Sequence, residues 1–120
     1  MIIVFYRILK TIKSKIILVE NMTTVVNIRN SSYDIYIGRG SKWGNPFTHI
    51  KDKSTKAEFI VDTRTEAISK YKEWISNQPD LLNALNELKD KRLGCFCKPK
   101  SCHGDILVQL IEEKKYYSLF

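Results

Sequence analysis

The sequence predicts a small single-domain α/β protein, with a sheet of about three to four strands, partly parallel, flanked by helices. Two observations predict it. Short runs rich in β-branched and aromatic residues lie before and after a middle of helical period, the alternation that goes with crossover connections. The 120 residues, 43% apolar and 28% charged, suffice for one modest core and not for two.

Residues 1–21 stand apart. MIIVFYRILKTIKSKIILVE carries apolar runs, but Arg7, Lys10, Lys13 and Lys15 interrupt them, so none reaches the ~20 apolar residues of a membrane span. No small-residue cleavage site follows. Two readings stay open: an extra strand or hairpin, or upstream sequence before a start at Met22, with residues 22–120 as the domain. The formal charge is +7, and the pI is about 9.4. Such an excess favours anionic partners, nucleotide or nucleic acid. Those four cations against Glu20 give residues 1–21 a net +3, leaving +4 for residues 22–120. The basic signal therefore rests partly on this segment.

TVVNIR (24–29) and YDIYIGR (33–39) read as strands, with a turn at Asn30-Ser31-Ser32. GRGSKWGNPF (38–47) holds three glycines and a proline, which excludes regular structure, and 48–62 is polar and ambiguous. Thr63 to Glu66 forms a capping box for a helix over 64–77, with Ala67, Ile68, Tyr71, Trp74 and Ile75 as its core face. Pro79 opens a second helix with a stripe of Leu81, Leu82, Leu85 and Leu88. KRLGCFC (91–97) returns to a strand, and a last helix starts near Cys102. Its end, Glu112 to Lys115, reads as solvated, and Tyr116, Tyr117 and Phe120 pack back or fray.

All three cysteines lie in CFCKPKSCHGD (95–105), spaced too tightly for a disulfide framework. Reduced thiols in a cytosol-like compartment fit better. Cys95 and Cys97 project to one face of their strand, with Phe96 opposite. The chain then enters a helix whose free N–H groups would lower the pKa of Cys102 and attract an anion. Three readings compete. Cys95, Cys97, Cys102 and His103 offer soft or borderline ligands to zinc, although adjacent Cys102 and His103 reach one ion with difficulty. Alternatively, Cys102 is a catalytic thiolate with His103 as acid or base, and Asp105 orients His103 or caps the helix. In the third, Cys95 and Cys97 are small core residues and His103 caps a helix.

The second candidate is the glycine-rich loop. Gly38, Arg39, Gly40 and Ser41 follow a strand, so their backbone N–H groups and the Arg39 guanidinium suit a phosphate. A tight turn explains the same glycines. Trp43, Asn45 and Phe47 suit base stacking and hydrogen bonding, or plug a long loop. His49, alone in a polar stretch, reads as solvated.

TTVVNIRN, YDIYIGRGSKWGNPF and LKDKRLGCFCKPKSCHGDILVQL together resemble the domain of unknown function 4326 family over about residues 23–110. Its members are small proteins of bacteria, archaea, phages and large DNA viruses, beginning near the position of Met22. The resemblance marks Tyr36, Gly38, Arg39, Gly40, Trp43, Gly44, Asn45, Pro46, Phe47, Cys95, Cys97, Pro99, Cys102, His103 and Asp105 as motif positions. It implies that both blocks build one site, without naming a reaction. On this basis the expectation is a nucleotide- or nucleic-acid-related site formed by the two loops, a small nucleotide-directed transferase or hydrolase being its enzyme version, in the cytoplasm, the host's where a virus encodes it. A zinc-stabilised nucleic-acid-binding module without turnover, and a viral or mobile-element interaction protein, remain the alternatives.

Overall fold

A computed structural model describes residues 22–51 and 57–117, except the side chain of Tyr117. The readings for residues 1–21 and for the side chains of Tyr117 and Phe120 lie outside the described residues. Strands β1 (Thr24–Asn27), β5 (Arg92–Cys95) and β2 (Ile35–Tyr36) form a parallel sheet in that order, with β5 at its centre. β3 (Phe47–Thr48) and β4 (Phe59–Ile60) form a second, two-stranded parallel sheet. The helices are α1 (Arg64–Ser76), α2 (Pro79–Asn83) and α3 (His103–Tyr117). Strands and helices alternate as predicted, with more strands, all of them short.

The second sheet corrects the reading of Phe47 as lying wholly in irregular chain. Phe47 stacks on Phe59 with ring centroids 5.2 Å apart, and the flanking backbone pairs over two residues. The expected second helix is also shorter. It stops at Asn83, and a 3-10 turn over Leu85–Glu87 follows. Asn83 and Asn86 are weak helix formers, and the tighter turn still buries Leu85 and Leu88. Half of the capping box forms as expected, with Thr63 accepting the Glu66 N–H at 3.0 Å, while Glu66 reaches one residue past the cap to the Asp62 N–H at 3.2 Å.

The core lies on one face of the three-stranded sheet. Along β5, Leu93 and Cys95 point inward to meet Ile37, Tyr71, Ile75, Leu107 and Ile111. Tyr71 is fully buried and Trp74 packs against the same cluster, as their helical spacing predicts. Tyr116 also packs back. Lys115 corrects the reading of a solvated helix end, because its ammonium reaches Asp90 at 2.6 Å.

The opposite face carries a crossover. Parallel β1 and β2 flank β5, so residues 28–34 must return across the sheet within seven residues. The strands are short enough to allow a connection well below the usual dozen. Gly94 makes room: a Cβ there would lie 2.6 Å from Ile28 Cγ2 and 2.7 Å from Tyr33 Cγ. The Asn30–Ser32 turn therefore lies in a parallel crossover.

Candidate functional site

Both sequence blocks meet at the carboxyl edge of the parallel sheet, where open α/β sheets place their ligand crevice. β2 runs out into Gly38-Arg39 and β5 into Phe96-Cys97. Asn27 ties the end of β1 to the second block, donating from Nδ2 to the Lys98 carbonyl at 2.8 Å.

The three thiols converge. Cys95 Sγ and Cys102 Sγ are 3.5 Å apart and buried, and all three sulfurs lie within 4.8 Å of one another. Each is a free cysteine. Three thiolates around a tetrahedral zinc, with Zn–S of about 2.3 Å, sit about 3.8 Å apart. The cluster is close to that arrangement.

His103 does not join it. His103, Leu107 and Ile111 recur every four residues on the buried stripe of α3, which turns the imidazole into the core. Its Nε2 lies 2.7 Å from the Ile37 carbonyl, and its ring meets Tyr71 edge-on at 5.0 Å. Burial pushes its pKa down. The expected four-ligand set is thus three sulfurs, with a histidine that joins the two blocks through a backbone carbonyl. Asp105 serves as a cap: one carboxylate oxygen accepts from the Cys102 N–H at 3.1 Å, the other from Lys98 Nζ at 2.5 Å.

That cap overturns the expected activation of Cys102 by a free helix end. Hydrogen bonding with Cys95 and then Cys97, together with burial, pushes the Cys102 thiol up instead. Cys97 is pushed well below the usual thiol range. The neighbouring Cys102 and Cys95 thiols favour its charged form, and Arg64 adds to the effect. Cys97, the one cysteine of the three that is not fully buried, is thus the thiol whose charged form its surroundings favour.

Beside Cys97 lies a cleft of about 80 Å³, whose lining includes Arg39, Phe47, His49, Arg64 and Cys102. That is the space of two to three waters at about 30 Å³ each, enough for a phosphate-sized group. Arg39 donates from Nη2 to the Phe47 carbonyl at 2.9 Å, while its Nε is buried with no hydrogen-bond partner. Burial lowers the Arg39 pKa, and Cys97 opposes that shift. Arg64 reaches the Ser101 carbonyl from Nη1 at 3.3 Å.

The rest of the glycine-rich loop is built for shape. Ser41 donates from both N and Oγ to the Gly38 carbonyl, at 3.1 and 2.6 Å, and Gly40 takes φ 96°. The N–H of Ser41 is thus occupied by the turn. Trp43 is buried, and its carbonyl accepts from Tyr71 Oη at 2.7 Å, so its indole plugs the loop and offers no face to a base. Asn45 is also structural. It donates from Nδ2 to the Ala67 carbonyl at 3.1 Å and accepts the Phe47 N–H at 2.9 Å. Of the seven loop residues expected to bind ligand, Arg39, Asn45 and Phe47 line the cleft, and the Asn45 amide is already bonded to backbone.

Two cleft residues escape sequence reasoning. His49 lines the cleft, against its reading as solvated. Arg64 occupies the first position of α1, where the helix dipole disfavours a cation. That misfit was the available signal.

The motif resemblance extends to the whole domain. Residues 21–113 match the family described as "Domain of unknown function (DUF4326)". An uncharacterized 12.4 kDa protein in the nrdA-td intergenic region of Enterobacteria phage T4 is 35% identical over 94 residues, 78% of this chain and 81% of its own. The uncharacterized protein R718 of Acanthamoeba polyphaga mimivirus is 37% identical over 95 residues, 64% of this chain and 65% of its own. No solved structure matches. With most of its length and both site blocks inside that match, the chain belongs to the DUF4326 family.

Proposed function

We propose that this protein is a nucleotide-directed transferase or hydrolase that takes the phosphate end of its substrate between Arg39 and Arg64 and reacts at Cys97. The observation that carries the reading is the pair of arginines, Arg39 and Arg64, lining a phosphate-sized cleft, with the Arg39 Nε a buried donor that has no acceptor. An incompletely paired buried cation is costly, and an anion bound at the Arg39 guanidinium offsets that cost. The cleft holds one phosphate but not a whole nucleotide, so base and sugar lie outside it, toward Phe47, His49 and exposed Ile50.

In this reading Cys97 replaces Cys102 as the reacting thiol. Its sulfur forms a bond to the transferred carbon as the bond from that carbon to the leaving oxygen breaks. The electron pair departs on the oxygen, where the two guanidiniums stabilise it. Water or a second substrate then displaces the sulfur. His103 and Asp105 act as positioning residues, holding Ile37 and the start of α3.

The test is a thermal-shift panel of inorganic phosphate and nucleotides, followed by product analysis with the best binder. We expect stabilisation by nucleotides that is lost in Arg39→Ala, and turnover lost in Cys97→Ser with binding kept. No stabilisation by any phosphate compound at millimolar concentration overturns the reading.

A second reading rests on a different observation, the three sulfurs within 4.8 Å. Zinc held by Cys95, Cys97 and Cys102 has no fourth ligand among the described histidines, cysteines and carboxylates. It would supply Lewis acidity or, in a module without turnover, folding free energy. Elemental mass spectrometry on protein purified reduced and anaerobically separates the readings. About one zinc per chain and a melting temperature lowered by chelator favour the metal.

A further inference from the structure

We infer that the crossover side of the sheet is a stacking surface for single-stranded nucleic acid, leading to the thiol cleft. Side-chain alternation along β5 sends Cys95 into the core and Phe96 to the other side, where it is 50% exposed. Tyr33, on the crossover, is 44% exposed. Tyr36 meets Phe96 edge-on with centroids 6.3 Å apart, and the Arg29 guanidinium lies 5.3 Å over the Phe96 ring. None of these residues belongs to the core cluster.

The chemistry selects the occupant. Arg29 makes no ion pair with a described carboxylate, and it stands directly beside an exposed aromatic ring. Guanidinium planes and aromatic rings are the two surfaces on which unpaired bases stack, and the same cation neutralises a phosphate. A duplex hides its bases and offers nothing to Phe96 or Tyr33. A protein partner would have to answer Arg29 with a carboxylate and the rings with apolar groups, whereas a single strand meets both with its own repeating unit of base and phosphate. The chain joins this surface to the cleft residues at two points. Phe96 immediately precedes Cys97, and Tyr36 donates from Oη to the carbonyl of Arg39 at 3.0 Å. A strand stacked on Phe96 can therefore place a neighbouring phosphate at Arg39.

This inference deepens the nucleotide reading by naming a strand as the ligand, and it shares Arg39 with that reading. The binding surface itself does not depend on reaction at Cys97. The experiment is fluorescence anisotropy of the full chain with labelled 12-mers of dT and rU and with a 12-base-pair duplex, at two salt concentrations. We expect single strands to bind more tightly than duplex, and Phe96→Ala or Tyr33→Ala to weaken them about tenfold each, as loss of one stacked base does. Phe96 is exposed, so Phe96→Ala should melt with wild type, and Phe96→Trp should restore binding. The dT and rU arms decide between DNA and RNA.

Equal affinity of wild type and the Phe96→Ala/Tyr33→Ala double variant overturns the inference. So does dimerisation through Phe96 without oligonucleotide binding, which assigns the face to a second copy. A free nucleotide that binds through Arg39 while strands ignore Phe96 leaves the nucleotide reading standing alone. Strand binding through Phe96 with no response to Arg39→Ala leaves the surface without the nucleotide cleft.

Discussion

Asn45→Ala separates a ligand-binding residue from a structural one. Asn45 is 7% exposed; one bond, to the Ala67 carbonyl, fastens the glycine-rich loop to α1, and a second, from the Phe47 N–H, closes a turn within the loop. Truncation strands the Phe47 N–H, at about 1–3 kcal/mol for an unsatisfied donor, and removes a bond from the Ala67 carbonyl, worth about 0.5–1.5 kcal/mol. The expected total is about 2–4 kcal/mol. For a chain of this size about 4 °C is lost per kcal/mol, so the melting temperature should fall by about 8–16 °C. Differential scanning calorimetry reads it. A shift under about 2 °C together with lost nucleotide affinity would refute the reasoning and return Asn45 to the ligand.

Three further outcomes follow from the same geometry. Gly44→Ala should open the loop, because its Cβ would meet the Gly38 carbonyl oxygen at 2.9 Å and Arg39 Cα at 3.0 Å, both backbone. A loss of about 1–3 kcal/mol by urea titration is expected, and wild-type stability would show the loop to be softer than it is drawn. Tyr71→Phe leaves the buried Trp43 carbonyl without its 2.7 Å donor and should destabilise by about 1–3 kcal/mol, also read by urea titration. Asp34 accepts from the Arg92 N–H at 2.8 Å and from its guanidinium, and these bonds hold its carboxyl below the ordinary carboxylate value. Its folded pKa is depressed, so its stabilisation is present above the unfolded value and is lost as pH falls through the folded one. Asp34→Asn should flatten the acid limb of melting temperature against pH, and an unchanged limb would remove the assignment.

The order of strands and helices was legible because hydrophobic period carries it: Ala67, Tyr71 and Ile75 on α1, and the alternation Leu93-Gly94-Cys95-Phe96 on β5. The short second sheet was not, since two-residue strands leave no periodic signal, and Phe47 finds Phe59 only through tertiary packing. At the site, the thiol cluster follows from strand alternation and a short loop. The inward turn of His103 was also readable, from its spacing to Leu107 and Ile111. The roles of Trp43 and Asn45 were not. Their partners Tyr71 and Ala67 lie over 20 residues away in sequence, and a motif marks a position without saying whether it binds ligand or backbone.

The second sequence block derives its two surfaces from one alternation. Cys95 turns to the core and meets Cys102, Phe96 turns to the crossover side and meets Arg29, and the chain bends so that Cys97 faces the cleft with Arg39 and Arg64. A ligand stacked on Phe96 and a reaction at Cys97 are therefore separable by substitution although the residues are adjacent. Phe96→Ala should weaken strand affinity and leave metal content and cleft anion binding unchanged. Cys97→Ser should leave strand affinity and cleft anion binding in place and lose turnover, or metal content where the three sulfurs hold zinc. If both variants lost the same property, backbone damage to the turn after β5 would explain it better than either site. Binding and chemistry would then have to be reassigned together.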